Sequence, residues 1–354
     1  MNIYVMDGLS GITDVIEVFE SAIWNIQFFE VGDFQLICPY SQQLDNLLQS
    51  GKLLVREADI YDTGEYHNVM RIDSRKISFD PDKGWRLEVT GHSLKGMVGQ
   101  RVVWQLTNFE QENVEDAIRQ VIYENIIAPD DPYREIDNFI LDDPIGFTDE
   151  FDAQVMGENI AEWIASVCTV CGYGWDVYIK SGKYVFALIQ GIDRTIESQD
   201  PVIFSEEFEN IASVEYTHDK TDFHNVGLVG GEGEGSDQVL TVVGNAQGID
   251  RYEVYIDASD VSSDGEIITM ATYLSMLDTY GQEQLAAFQF VDKFEGEIIP
   301  NALYTFGTDY NLGDQVQIIF KGISAKSRII EMIYSEDANG STLLPTFSDW
   351  EVTI

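Results

Sequence analysis

The chain has 354 residues, of which 62 are acidic and 20 basic, for a formal net charge of −42, and 44% are hydrophobic. A polyanion of this kind does not grip phosphate backbones, so nucleic acid is excluded as a specific partner. The length exceeds one comfortable core and implies two or three domains, while three cysteines, Cys38, Cys168 and Cys171, are too few and too odd a set for a secreted disulfide framework.

The opening MNIYVMDGLSGITDVIEVF has neither a basic n-region nor an unbroken apolar stretch. No later segment approaches the roughly 20 apolar residues of a membrane span, so no membrane anchor is expected. From Trp24 to Val103 the text reads as strands: WNIQFFEVGDFQLICP, KLLVREADI, HNVMRIDSRKISF and WRLEVTG, with turn signals at Asp62-Thr63-Gly64 and Asp80-Pro81-Asp82. This spacing predicts a small barrel or sandwich. A short helix is expected over Ser41 to Ser50, with Ser41 as N-cap, Leu44, Leu47 and Leu48 on one side and Gly51 past its end, plugging a barrel mouth. Around Gly91 a turn is expected, then a short helix and a second strand from Arg101.

After Leu106, Val114, Ala117, Ile118, Val121, Ile122 and Ile126 recur at helical spacing, with Glu115 and Asp116 in the first turn, where carboxylates suit the helix dipole. A second helix carries Met156, Ile160, Trp163, Ile164, Val167 and Cys171 on one face and stops at Gly172, and GWDVYIKSGKYVFALI then reads as a hairpin turning at Ser181-Gly182. Residues 106–194 therefore form an expected α/β insertion. Strands resume in ENIASVEYTHD, NVGLVGGEGEG, DQVLTVVG and RYEVYIDA. A helical stretch from about Asp264 to Phe288 follows, broken or bent at Gly281. DQVQIIF and AKSRIIEMIYSE close the chain as alternating strands, with Asn339-Gly340 as a hairpin turn signal.

Motifs that could carry chemistry read as structure. Gly91-His92-Ser93-Leu94-Lys95-Gly96 follows a strand and opens a helix as a nucleophile elbow does, but Leu94 stands next to Ser93 and Lys95 occupies the place where the elbow needs glycine. His67, His218 and His224 form no ligand spacing. Cys168-Thr169-Val170-Cys171 is a single C-x-x-C on a helix end with no second pair, so the two thiols are expected as small buried hydrophobes and no metal is expected. Asp80, Asp82 and Gly84, or Asp257, Asp260 and Asp264, do not keep the alternating spacing of a calcium loop. Gly231-Glu232-Gly233-Glu234-Gly235 resembles a phosphate loop only in its glycines, because two glutamates repel phosphate. It reads as a turn or bulge whose carboxylates face solvent or a shared axis. Among 62 acids some pair always falls at glycosidase distance, so paired carboxylates carry no signal.

Four ordered segments resemble the siphovirus ReqiPepy-type tail protein family, whose members are baseplate hub proteins: EVTGHSLKGMVGQRVV (Glu88 to Val103), GLVGGEGEG (Gly227 to Gly235), RYEVYIDASD (Arg251 to Asp260) and FGTDYNLGDQVQI (Phe306 to Ile318). ESAIWNIQFFEVGDFQLICP, Glu20 to Pro39, is similar to the family's first strand pair. Where the family shows an arginine after the Gly-Glu run, this chain has Ser236, Asp237 and Gln238. The resemblance implies a mainly β (α+β) fold: two related small β-barrels at 1–105 and 195–354, the α/β insertion at 106–194, and a helical insert at about 258–290. It implies a non-enzymatic hub without the peptidase or fibre-anchoring modules of longer relatives.

The resemblance further implies a homotrimer in which two barrels per copy would make a pseudo-sixfold ring closing the distal end of the tail tube in the virion. The implied partners are the hexameric distal tail or tail tube protein, the tape measure protein and tip or receptor-binding proteins; no cofactor is implied. An acidic wall repels passing DNA, with Glu232, Glu234 and Asp237 as lumen-facing candidates; a saline habitat is the other source of such acidity. Two other classes stay open: a tail-tip enzyme degrading cell wall or polysaccharide, which needs a cleft with convergent carboxylates and a raised pKa, and a carbohydrate-binding module, which would expose several of the six tryptophans in a groove.

Overall fold

The computed structural model describes residues 2–62, 64–263, 268–288, 291–299, 303–321 and 323–352. The fold is mainly β. Its first strands are β1 (Ile3–Met6), β2 (Ile12–Ile16), β3 (Ser21–Gln27) and β4 (Asp33–Pro39). In β3 and β4 every second side chain points inward, so Ala22, Trp24, Ile26, Phe34, Leu36 and Cys38 are all buried. Fully burying Ile26, Phe34 or Leu36 contributes roughly 1.5–3 kcal/mol each. Helix α1 (Gln42–Leu47) is capped by Ser41, whose Oγ accepts from the Leu44 amide at 3.1 Å, and Leu48 after it is buried.

Strand β5 (Leu53–Arg56), the short β6 (Ile60–Asp62) and β7 (Glu65–Tyr66), then the long hairpin β8 (Met70–Asp80) and β9 (Gly84–Ser93) complete this half. Thr63, central to the expected turn, lies outside the described residues. Gly91 sits inside β9 rather than at a turn. Opposite it β8 bulges between Ile72 and Ser74, and a Cβ on Gly91 would stand 1.8 Å from the Arg71 carbonyl oxygen, so only glycine fits. Helix α2 (Lys95–Val98) follows directly. No strand starts at Arg101; Val102 makes only an isolated bridge to Asn159.

The middle of the chain contains β10 (Thr107–Asn113), α3 (Val114–Ile122), β11 (Phe139–Leu141), β12 (Glu150–Val155), α4 (Ile160–Cys171), β13 (Gly174–Lys180) and β14 (Lys183–Ile189). The apolar stripe of α3, continued by Ile126, is buried as its spacing predicts. Gly172 ends α4 with φ +71°, and Ser181 and Gly182 turn the hairpin with φ +51° and +73°. Met156 precedes α4 and is exposed, so it is not on that helix's buried face. One core runs from α3, α4, β13 and β14 to Val69, Leu94 and Val98 of the first half.

The last part holds β15 (Asp193–Arg194), β16 (Ile203–Ser205), β17 (Ile211–Asp219), β18 (Val226–Gly230), β19 (Leu240–Val243), β20 (Glu253–Asp257), α5 (Met270–Ala286), β21 (Val291–Ile298), β22 (Gln315–Phe320), β23 (Ile323–Asp337) and β24 (Gly340–Val352). Helix α5 passes unbroken through Gly281. A Cβ there would meet Val229 Cγ2 at 2.4 Å, so the glycine serves close packing and not a bend. The two-residue connection between β23 and β24 is Ala338-Asn339, because Asp337 pairs with Gly340.

Among the described residues the strands of the two expected β units form no closed barrel. β3 pairs with β23 from Ser21↔Asp337 to Gln27↔Glu331, which fuses both halves into one 14-stranded sheet in the order β17-β21-β24-β23-β3-β4-β9-β8-β5-β1-β2, with β22, β15 and β16 branching from β23. A single core serves both halves, joining Trp24, Leu36 and Val89 to Phe204, Val316, Ile329 and Phe347. No helix among the described residues is long and apolar enough to cross a membrane.

Candidate functional site

The acidic glycine-rich loop links β18 to β19. Val239 holds it at both ends: its carbonyl accepts from the Gly231 amide at 2.8 Å and its own amide donates to the Glu232 carbonyl at 2.9 Å. Gly233 needs φ +100°, and a Cβ there would stand 2.4 Å from the Asp237 carbonyl oxygen. The Glu232 carboxylate turns inward, accepting from Ser263 Oγ at 2.6 Å, Ser262 Oγ at 2.7 Å and the Ser263 amide at 3.0 Å. Those bonds, from Ser263 and then Ser262, hold its pKa below the usual carboxylate value. Its amide donates to Tyr273 Oη, which donates in turn to the Val261 carbonyl. Glu234 and Asp237 are exposed at the loop tip. Of the three sequence-expected acids, one is thus a clamp on α5 and two point to solvent.

Beside this clamp lies a cleft of ≈ 380 Å³ between α4 and α5, lined by Glu158, Glu162, Trp163, Asp260, Tyr280 and Glu283 among others. Two contacts bind its walls: Gln154 exchanges two hydrogen bonds with Ser262 (Nε2 to the carbonyl at 3.0 Å, Oε1 from the amide at 2.6 Å), and Ser275 donates to Asp152. The Glu283 carboxyl is pushed up to about 8, first by burial and then by Glu158. Burial raises Glu158 as well, and Tyr280 is raised by burial and by Glu158, Asp260 and Glu283. A carboxyl that keeps its proton near neutral pH can donate it, and that is what this arrangement can do chemically. Glu158 and Glu283 escaped notice in the sequence because nothing local distinguishes them from the other acids.

The remaining motifs are structural. Ser93 Oγ accepts from the Gly32 amide at 3.2 Å, while His92 Nδ1 lies 2.9 Å from Asp73, so the two side chains serve different partners. Cys168 is fully buried, with its thiol pushed above its ordinary value by burial. Burial likewise pushes Cys171 up to about 11, so both stay protonated and unreactive at neutral pH. Asp80 Oδ1 caps the β8–β9 turn, accepting from the Asp82 and Lys83 amides. Asp257 similarly receives the Ser259 amide, and Asp264 lies outside the described residues. His67 stacks on Tyr178 at 4.5 Å and pairs with Glu65. The side chain of His218 lies outside the described set. Among the described residues no three His, Cys, Asp or Glu side chains form a group that could hold a metal.

This β architecture, one long sheet shared by two halves with helical insertions on it, is a fold shared with solved tail proteins. The sequence matches the family described as Siphovirus ReqiPepy6 Gp37-like protein over residues 2–349, and the chain belongs to that family. No curated protein matches it. Three crystal structures share its fold. A tail protein from Neisseria meningitidis MC58 is 14% identical with TM-score 0.58, covering 98% of this chain and 96% of that one. The 43 kDa tail protein of prophage MuSo2 from Shewanella oneidensis is 12% identical with TM-score 0.60 and 98% coverage of both chains. Prophage tail protein gp18 from Listeria monocytogenes EGD-e is 12% identical with TM-score 0.52, covering 98% of this chain and 94% of that one.

Proposed function

We propose that this protein is a structural, non-enzymatic hub of a phage or phage-like tail. Three copies form a ring that closes the distal end of the tail tube and connects it to the tip. The observation that carries this reading is the fusion of two β halves along β3 and β23 in a chain whose whole length matches tail proteins in fold. We divide the chain into first and second β units at 1–105 and 195–354, the second with a helical insert at 258–290, and place the 106–194 insertion outward or toward the adjoining ring. Two β units per copy, taken three times, offer six quasi-equivalent positions to a hexameric tail tube or distal tail ring.

The tape measure protein and tip or receptor-binding proteins are the other expected neighbours, and the virion tail is the expected location. A formal charge of −42 per copy would keep passing DNA from adsorbing to the bore. Screening over about 8 Å at physiological salt confines that effect to wall residues. Glu234 and Asp237 are the acids we assign to the wall; Glu232 holds their loop. Light scattering and negative-stain averaging of the purified chain test the reading. A trimer with a central hole supports it, and a lone monomer at every concentration sinks it.

One observation favours a second reading, a tail-tip enzyme that cuts cell wall or polysaccharide: the α4–α5 cleft holds Glu283 beside Glu158 with a carboxyl protonated near neutral pH, as a general acid requires. Turnover of peptidoglycan or a capsular glycan, abolished by Glu283→Gln, would reverse the ranking.

A further inference from the structure

A second cleft, of ≈ 190 Å³, opens where the segment around Trp104 passes the end of α3, and it shares no residue with the α4–α5 cleft. An uncommon backbone turn builds it. After Ile122 the helix widens into a π-helical turn over Tyr123–Ile127, a form that is rare and recurs at functional sites. Asn125 in that turn is buried. Its Nδ2 donates back to the Val121 carbonyl at 2.9 Å, while its Oδ1 accepts from the Trp104 amide at 3.4 Å and from Arg134 Nη2 at 3.2 Å. One amide side chain thus holds both walls of the cleft.

Arg134 is only 9% exposed, yet its guanidinium is not fully used. Nη2 donates to the Val102 carbonyl at 2.6 Å as well as to Asn125, and the group lies 4.2 Å from the centroid of the Trp104 ring. Among the described residues no carboxylate forms an ion pair with it, and its Nε and Nη1 donate to no acceptor. A desolvated guanidinium with unspent donors costs free energy that a ligand's oxygens would offset. Trp104 supplies an apolar wall and stays 54% exposed with the guanidinium stacked on it. Three carboxylates complete the lining, and their partners are neutral: Gln105 Nε2 donates to Asp130 at 2.5 Å, the Tyr133 amide to Asp131 at 3.0 Å and Gln120 to Glu124 at 2.9 Å.

That set of groups selects a ligand chemistry. Three carboxylates repel an anion, and Arg134 repels a cation from the indole it already covers. An uncharged polyhydroxyl ring suits every wall: its C–H face lies on the indole, and its hydroxyls accept from Arg134 and donate to the carboxylates. The volume, below the roughly 300–1,000 Å³ of drug-sized pockets, admits one ring. We infer that this cleft binds one uncharged pyranose ring of a glycan chain, with Trp104 as stacking platform, Arg134 as hydrogen-bond donor and Asn125 as the residue that positions both. The site goes beyond the hub reading and forms within a single chain. One tryptophan lines it, which fits a lone subsite and not a dedicated carbohydrate-binding module.

The test is calorimetric titration of the full chain with uncharged hexose and N-acetylhexosamine oligomers. Glucosamine oligomers serve as the cationic control and galacturonate oligomers as the anionic one. At least one uncharged oligomer should saturate one site per chain and outcompete both charged sets. Trp104→Ala should weaken that binding by about tenfold, and Trp104→Phe, which keeps an aromatic wall, by less. Arg134→Lys keeps the charge but loses the planar fork, and should also weaken it. Trp85→Ala, at a tryptophan on β9 that is 58% exposed, should change nothing. Near-ultraviolet circular dichroism verifies the fold of each variant. Saturable binding that survives Trp104→Ala, preference for either charged set, or no saturation by any uncharged oligomer overturns the assignment. The hub reading stands or falls separately, on the mass of the purified chain.

Discussion

Lys95, where the first β half meets the insertion, and Glu283, in the cleft between α4 and α5, are both held near pKa 8 by burial, from opposite directions. The fold treats them differently. Lys95 is 3% exposed, yet its Nζ donates to the carbonyls of Gln27 at 2.7 Å, Phe28 at 3.1 Å and Glu30 at 3.1 Å and lies 4.8 Å from the Trp175 ring centroid. It ties the β3–β4 turn to α2 and the insertion sheet with all three of its protons. Glu283 instead lines the α4–α5 cleft, where after burial it is the Glu158 carboxylate that raises it. A buried charge with full partners marks a joint built to stay shut; one set against like charges marks a joint whose closure depends on its proton.

The sharpest way to break this comparison is Lys95→Met, which keeps the volume but leaves three carbonyls without a donor. Hydrogen bonds to a charged group contribute about 1.5–3 kcal/mol each, and losing one side of a buried set costs about 3–5 kcal/mol. We expect a loss in that range by urea unfolding at pH 7, with no change in the slope of the transition. Next in size is Glu115→Ala. Glu115 is 3% exposed, and its carboxylate accepts from the amides of Ile145 at 2.7 Å, Gly146 at 2.6 Å and Phe147 at 3.0 Å. Removing it should cost about 2–3 kcal/mol, and those three amides should lose hydrogen-exchange protection. A loss below about 1 kcal/mol from either variant would mean that full partnering is not what holds these joints.

The sequence disclosed the parts of these joints unequally. The stripe from Val114 to Ile126 announced α3 because 3.6-residue spacing is a local property, and the Ser181-Gly182 turn and the Ser41 cap were legible for the same reason. β1 and β2 were missed: IYVM and ITDVI are short, and four of the five residues in β2 are exposed, so no clean alternation marks them. Gly281 was misread as a helix breaker because its reason, Val229 on another strand, is tertiary. The joining of the two β units into one sheet, with no closed barrel among the described residues, comes from the pairing of β3 with β23 from distant parts of the chain, which no local pattern encodes. At the site, the turn in the Gly-Glu run was legible from its glycines, but the inward rotation of Glu232 depends on Ser262 and Ser263 arriving from beyond β20.

The two joints should also separate by pH. Glu283 binds its proton more tightly when folded, so its contribution is full below its ordinary 4.5 and is lost as pH rises through about 8. Lys95 binds its proton less tightly when folded. Its burial penalty is therefore full below about 8 and fades as pH rises toward its ordinary 10.5. Glu283→Gln should raise the melting temperature at pH 8.5 and flatten its decline between pH 5 and 8, as followed by scanning calorimetry. An unchanged pH profile would place the cleft among the fully partnered joints and erase the distinction.

The smallest expected effect separates helix capping from cleft closure. Asn159 caps α4, its Oδ1 accepting from the Ala161 and Glu162 amides at 3.0 and 3.4 Å, and its Nδ2 donates to the Gly99 carbonyl at 2.8 Å. Asn113 caps α3 in the same way, accepting from the Glu115 and Asp116 amides, but sits away from the α4–α5 cleft. Each Asn→Ala change should cost about 1 kcal/mol, the ordinary worth of an N-cap. Because Asn159 lines the cleft and Asn113 does not, only Asn159→Ala should also change the pH at which the Glu283-linked decline in melting temperature is centred. If both variants shift that midpoint, proton uptake reports on the insertion as a whole; if neither does, the cleft closes independently of the α4 cap.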